Sequence, residues 1–390
     1  MHVAILGRQP ALGMAELEQL YGASGVQWFS DNSACIDHPG FDFERLAGSQ
    51  KAGRIVAELR GDWRQTSTAL VNAYLGAWQN HKGKITLGIS AYGFHISPRD
   101  VQKTGIVLKA RLKKHGVSLR LIPNNDLALS TATSHHNKLG LSDNHIEILI
   151  VRSANGKVLI AESVGSQNIT ALARRDQGRP KRDAFVGMLP PKLARMMVNL
   201  SGVTPPGRLL DPFCGTGVLL QEAALVGFDV YGTDLSPKMI EFSQKNLEWL
   251  SETHHTVSDI TLNQGDAMTH IWEGTISAVV AETYLGQPFS APPSPSKLVQ
   301  VRDNCDHIIS TFLKNLAPQI PAGTPVCLAI PAWRDSLGHF THLPLTGRLT
   351  SLGFSQQTLE HVRREELIYY REDQVVARQL LILSKDNRLC

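Results

Sequence analysis

The sequence predicts an α/β fold with an open sheet in its C-terminal half, on three observations. Leu209-Leu210-Asp211-Pro212-Phe213-Cys214-Gly215-Thr216-Gly217-Val218-Leu219-Leu220 reads as a buried strand, a tight Gly-rich turn and the start of a helix. Asp211 then lies at the carboxyl end of its strand, where open α/β sheets bind ligands. Asp234 follows 23 residues later, the length of a turn, a helix and a second strand. An acidic residue at that place hydrogen-bonds ribose hydroxyls in nucleotide-type sites. Near the end of the chain, two apolar runs flank Arg371-Glu372-Asp373-Gln374 and predict a late hairpin.

Composition sets the outer bounds. At 390 residues, 42% hydrophobic and 19% charged, the chain is long enough for two or three globular domains. A net charge of +4 is compatible with nucleic acid without establishing it. The five cysteines form no disulfide framework and no Cys-x-x-Cys pair, so no metal site is expected. The chain opens with no basic, apolar leader and contains no run of 18 apolar residues, which makes the cytoplasm the default compartment.

In chain order, residues 2–6 read as a strand and Pro10 to Tyr21 as a helix with Leu12, Leu17 and Leu20 near one face. Residues 26–29, 34–36 and 55–59 are further strand candidates. A helix within residues 60–80 buries Leu70, Val71, Tyr74, Leu75 and Trp78, and residues 85–90 alternate as a strand. Gln102 to Gly116 is amphipathic and carries Lys103, Lys109, Arg111, Lys113 and Lys114. That basic face suits phosphate contacts and suits plain solvation as well. Residues 117–122 form another strand. Two strands, residues 145–151 and 158–162, make a hairpin around Asn155-Gly156. The His135-His136 pair has no spaced ligand set and is assigned no metal.

Residues 167–191 read as a junction. Arg174, Arg175, Arg179, Lys181 and Arg182 place five basic residues in nine positions. Three readings stay open: a solvated linker, a segment lying along RNA, or one folding over the pocket. Pro191 opens a helix with Leu193, Met196, Met197 and Leu200 on its apolar face. After Asp234, Ser236-Pro237 starts another helix, in which Lys245 and Asn246 read as ordinary residues. A third strand runs from Asp259 to Asp266, a fourth over residues 276–281 and a fifth over 325–331. Residues 288–295 read as a Pro/Ser-rich loop, and Cys305 to Leu316 as a helix.

The first turn is Asp-Pro-Phe-Cys-Gly-Thr-Gly. It lacks both the Gly-x-Gly-x-x-Gly of dinucleotide sites and the Lys-Ser/Thr of a phosphate loop. It resembles the first motif of class I S-adenosylmethionine-dependent methyltransferases, in the form found in enzymes that methylate exocyclic amines of nucleic-acid bases. Gly187 to Leu200 resembles the segment before that motif in archaeal and eukaryotic tRNA guanosine-10 N2-methyltransferases, which carry an N-terminal THUMP domain. The stretch from Tyr369 to Arg378 resembles their Tyr-x-x-x-x-Gln-x-Val-x-Arg ending.

This resemblance implies a small N-terminal domain over residues 1–59, a THUMP-like RNA-binding domain over 60–165 and a basic linker over 166–187. A Rossmann-like, seven-stranded methyltransferase domain over 188–390 follows. It implies S-adenosylmethionine as cofactor, held by Asp211, Phe213, Cys214, Gly215, Gly217, Asp234 and Leu235. Asp266 would meet the adenine amine, beside Ala267. It implies tRNA as partner and leaves room for a small accessory protein. Where the family reads Asp-Pro-Pro-Tyr-Gly, this chain reads Glu282-Thr283-Tyr284-Leu285-Gly286. Glu282 stands in for the carboxylate that accepts from the target amine, and Tyr284 for the stacking ring. Loss of both prolines removes backbone preorganisation. The departure leaves a second reading open, a tRNA-binding protein of the same fold with an altered target or no turnover.

Overall fold

The computed structural model describes residues 1–183 and 189–387. Gly187 and Met188, which belong to the segment that carried part of the resemblance, lie outside the described residues. The chain divides into two compact units, Met1–Ala171 and Leu172–Cys390.

The first unit runs β1 (His2–Leu6), α1 (Pro10–Tyr21), β2 (Val26–Ser30), β3 (Ser33–Ile36), β4 (Ser49–Arg60), α2 (Trp63–Trp78), β5 (Lys84–Tyr92), α3 (Pro98–Lys114), β6 (Ser118–Leu121), α4 (Thr131–His136), β7 (His145–Arg152) and β8 (Lys157–Ser166). Among the described residues these strands form one eight-stranded sheet in the order β2-β3-β1-β4-β8-β7-β5-β6. The expected boundary between residues 59 and 60 is therefore corrected. β4 pairs with β1 on one side and with β8 on the other, so both expected domains share a single sheet. An alternating strand offers two hydrogen-bonding edges, and sequence periodicity does not reveal who occupies each.

Local chemistry explains the helices. Asp62 accepts from the Gln65 amide and Gln65 returns a contact to the Asp62 amide, a reciprocal cap that starts α2. Ser97 and Pro98 start α3 with Asp100 in its first turn. Leu70, Val71, Tyr74 and Trp78 of α2 and Val101, Leu108 and Leu112 of α3 pack on Ile85, Leu87, Ile89, Ile148 and Ile150. Each such side chain removed from water contributes about 1.5–3 kcal/mol. Trp78 is core, 8% exposed.

The second unit contains α6 (Pro191–Leu200), β9 (Arg208–Asp211), α7 (Val218–Val226), β10 (Asp229–Asp234), α8 (Pro237–His254), β11 (Ile260–Gln264), β12 (Ala278–Glu282), α9 (Pro295–Leu316), β13 (Pro325–Arg334), β14 (Phe340–Thr341), β15 (Phe354–Gln356), β16 (Ile368–Tyr369) and β17 (Val376–Lys385). Seven strands follow the order β11-β10-β9-β12-β13-β17-β15. β17 lies antiparallel to β13 and to β15, while β9 to β13 pair in parallel. Where seven strands were expected, the two-residue β14 and β16 bring the sheet to nine.

Three further expectations change. The linker over 166–187 contains a helix, α5 (Ile169–Gln177). α9 begins ten residues before Cys305, because Ser294 caps the Lys297 amide and Pro295 sits in the first turn. Pro and Ser were read as loop formers there, although the same pair is a helix start. The third strand stops at Gln264, which leaves Asp266 on the following loop.

Candidate active site

The switch point of the second sheet lies between β9 and β12, where the strand order reverses from leftward to rightward growth. Ligands bind outside the carboxyl ends of strands at such a point. Register sets which side chains arrive there. Asp211 lies opposite Gly232 and Asp234 opposite Gln264, while Val279 lies opposite Leu210. The last residues of β9, β10 and β12 are thus Asp211, Asp234 and Glu282 on one sheet edge.

A cavity of about 620 Å³ occupies this edge. Ten of the eleven residues expected in the site line it: Asp211, Phe213, Cys214, Gly215, Asp234, Leu235, Asp266, Ala267, Glu282 and Tyr284. Gly217 does not line it and takes a backbone role in the structure. It caps α7 in the left-handed region at φ +79°, and a Cβ there would meet Ser243 Oγ at 2.9 Å. Ser243 Oγ in turn donates to the Gly215 carbonyl at 2.8 Å. Gly217→Ala should therefore destabilise the protein by about 1–3 kcal/mol, checked by denaturant unfolding.

The carboxylates are held by backbone amides. Asp234 accepts from the Gly215 amide at 2.9 Å and from the Ser236 amide at 2.9 Å. Asp211 accepts from the Phe213 amide at 3.1 Å. Burial pushes the Asp211 carboxyl well above the usual carboxylate range, against the pull of that amide, and the charges of Asp234 and Glu282 add to the rise. Burial likewise raises Asp234, partly offset by its two amide donors. Asp266 accepts from the Met268 amide at 2.9 Å, so it caps its own turn while facing the cavity. Burial pushes the Cys214 thiol far up, which leaves it a packed residue of the turn. Tyr284 is 42% exposed at the cavity wall.

Glu282 has a partner that the sequence did not reveal. Arg378 Nε donates to Glu282 Oε1, and their side chains are 9% and 15% exposed. The two residues are 96 apart in sequence and meet because β17 lies beside β13, which lies beside β12. Burial raises the Glu282 carboxyl, and the Arg378 charge and hydrogen bond pull it down.

No expected residue other than Gly217 falls outside the cavity, yet two contributors were missed. Asn246, read as ordinary, is fully buried and clamps three groups. Its amide donates to the Lys181 and Thr216 carbonyls at 3.0 and 2.8 Å, and its oxygen accepts from the Lys181 amide at 2.9 Å. Asp183, two residues on, lines the cavity and accepts from Lys238 Nζ at 2.8 Å. The basic junction is thereby resolved into structural parts. Arg175 pairs with buried Glu222 at 2.6 Å, Lys181 Nζ lies 5.3 Å over the Phe242 ring, and Arg179 is 3% exposed. Arg174 and Arg182 remain exposed. Residues 175–183 thus pack against α7 and α8 beside the pocket. Among the described residues, no cluster of His, Cys, Asp or Glu could hold a metal ion.

Residues 179–269 match the family model described as UPF0020, the RMKL-like methyltransferase domain. Over its whole length the chain is similar to TrmN from Thermus thermophilus, with a TM-score of 0.54, 18% identity and coverage of 98% of this chain and 99% of that one. The second unit has the class I methyltransferase fold.

Curated relatives match the chain in part. A tRNA (guanine(10)-N2)-dimethyltransferase of Methanothermobacter thermautotrophicus is 33% identical over 162 residues, 41% of this chain and 44% of the relative. An enzyme of the same name from Pyrococcus abyssi is 39% identical over 114 residues, 28% of this chain and 32% of the relative. The chain spans less than half the length of each. Among the described residues, no helix is long and apolar enough to cross a membrane.

Proposed function

We propose that this protein transfers a methyl group from S-adenosylmethionine to N2 of a guanosine in tRNA, with position 10 favoured by the names of its relatives. The observation that carries the reading is the crowding of Asp211, Asp234, Asp266 and Glu282 around one cavity at the switch point. Asp211 and Asp234, both raised by burial, and Asp211 further by the charges of Asp234 and Glu282, favour a ligand that brings positive charge and hydroxyls. S-adenosylmethionine brings a sulfonium, an amine and a ribose. Asp234 takes the ribose, the turn from Asp211 to Gly215 takes the methionine end, and Asp266 and Leu235 flank the adenine.

The methyl sulfonium is intrinsically reactive, so catalysis is mainly alignment. The guanine N2 lone pair is delocalised into the ring. A Glu282 oxygen that accepts from the N2 amine holds it in line and stabilises the positive charge growing there. Tyr284 offers its ring to the base, which must leave its stack to enter the cavity. No covalent nucleophile is required: as the bond from N2 to the methyl carbon forms, the sulfur–methyl bond would break, S-adenosylhomocysteine would leave, and the surplus N2 proton would pass to Glu282 or to water.

The first unit is proposed as the THUMP-like module that holds the RNA body in the cytoplasm. Lys84, Lys109, Lys113 and Arg120 line a second cleft, of about 590 Å³, between α3 and the β6 edge. Such clustered cations suit phosphates, whose contacts position an RNA without reading its sequence.

The decisive test is incubation of the purified protein with labelled cofactor and unmodified tRNA, followed by nucleoside mass analysis. N2-methylated guanosine is the expected product, and N6-methyladenosine would move the target. tRNA binding with no transfer would favour the non-catalytic reading, which the Glu-Thr-Tyr-Leu replacement keeps in view. Deleting residues 1–168, which leaves α5 whole, should abolish transfer to tRNA while S-adenosylhomocysteine still binds 1:1 by calorimetry. Undiminished activity of the shortened protein would overturn the division of labour.

A further inference from the structure

Among the described residues, Arg378 is the cation that pairs with the carboxylate at the end of β12, and it does so from β17, on the far side of β13. It leaves β17 opposite Pro331 of β13 and reaches Glu282 at the end of β12. Among the described residues, Nε of Arg378 engages Oε1 of Glu282, and Oε2 has no hydrogen-bond partner. Glu282 nevertheless lines the cavity. Its backbone is pinned as well, because the next residue, Thr283, donates its amide and its hydroxyl to the Ala329 carbonyl, both at 3.0 Å.

We propose that Arg378 is a positioning residue for methyl transfer, holding the Glu282 carboxylate by one oxygen and leaving the other for the acceptor amine. The pair replaces by a side-chain contact the rigidity that two prolines would give the backbone. It also settles the charge of the acceptor. The groups that share the cavity with Glu282 are Asp211 from β9, Asp234 from β10, Asp266, Asp183 and Tyr284. Burial opposes its ionisation, and a charge on Asp211 does so as well. Arg195 of α6 and Arg348 are spent on Glu222 and Asp306, so Arg378 alone offsets them at this position among the described residues. Without it, Glu282 would take up a proton at higher pH, and a protonated carboxyl accepts poorly from an amine.

This inference rests on the proposed reaction, and its test separates the two. Arg378→Met should lower the methyl-transfer rate at pH 7 by about tenfold or more, with S-adenosylhomocysteine affinity changed less than twofold. The acid limb of its pH–rate profile should move up by about one pH unit, the scale on which an adjacent guanidinium shifts a carboxyl. Arg378→Lys keeps the charge and should restore the acid limb toward its original place even where the rate stays low. Carbon-13 NMR of glutamate-labelled protein, with the Glu282 signal assigned by its loss in Glu282→Gln, reads the same carboxyl without any turnover. If the wild type transfers no methyl group, the proposed reaction fails, and an upward shift of the Glu282 titration in Arg378→Met still upholds the pairing role. An unmoved titration and an unmoved acid limb in folded Arg378→Met would overturn it.

Discussion

Glu282→Gln lowers the rate of methyl transfer by roughly 100-fold or more, the scale on which one preorganised polar contact to a transition state acts. The substitution keeps size and removes charge. Cofactor affinity should change far less, because the proposed reaction sets Glu282 against the acceptor amine and leaves the cofactor to the turn and Asp234. The structure adds a second consequence that the motif alone does not convey. Gln leaves the buried Arg378 charge without its counter-ion. Breaking such a pair costs about 3 kcal/mol, the lower end of the range, since the Gln carbonyl still accepts from the guanidinium. Thermal unfolding should therefore show a stability loss alongside the kinetic one. Rates are compared at a temperature where circular dichroism finds both proteins folded. Equal rates under that condition would remove Glu282 from the mechanism even if N2-methylguanosine forms.

Asp234→Ala abolishes cofactor binding in practical terms, weakening S-adenosylhomocysteine affinity by about 100-fold in calorimetry. Two losses combine. The proposed ribose contact loses its acceptor, and the Gly215 and Ser236 amides lose theirs, so the turn beside the cavity is no longer tied to β10. Hydrogen bonds to a charged group contribute about 1.5–3 kcal/mol each, and two of them reach that factor. The same residue sets a pH dependence. Burial raises the Asp234 carboxyl, so it takes up a proton at higher pH than an ordinary aspartate. Affinity of the wild type should fall as pH drops through that raised range, and the residual affinity of Asp234→Ala should not follow it. A flat wild-type profile, or near-normal binding by the variant, would sink this assignment.

The cavity itself was legible before the fold, and the reason is local. Asp211, Phe213, Cys214, Gly215, Asp234 and Leu235 sit on or just beyond the ends of adjacent parallel strands. Each strand–turn–helix unit announces its own end by apolar periodicity, a Gly-rich turn and a Ser-Pro start, and parallel pairing then stacks those ends on one edge. Gly217 shows the limit of that reading. A glycine in such a turn signals close approach, and in the structure the approaching side chain is Ser243 of α8. Asp266 and Ala267 were placed by resemblance, and they reach the cavity from a loop instead of a strand end.

Sequence alone determined the α/β class, the order of the C-terminal strands and helices, the carboxylates at their ends and the late antiparallel pair. Each of these follows from short-range signals, whose physics is complete within some ten residues. Tertiary structure decided what periodicity leaves blank. It joined residues 1–59 to 60–165 in one sheet through the second edge of β4. It turned the basic junction into a docked segment by giving Arg175 the buried Glu222 and giving Lys181 the clamp of Asn246. It also brought Arg378 to Glu282 across 96 residues. Edge pairing, buried charge compensation and long-range hydrogen bonds depend on which elements become neighbours. That choice is made by the packing of the whole chain, and no local pattern around Arg378 or Asn246 carries it.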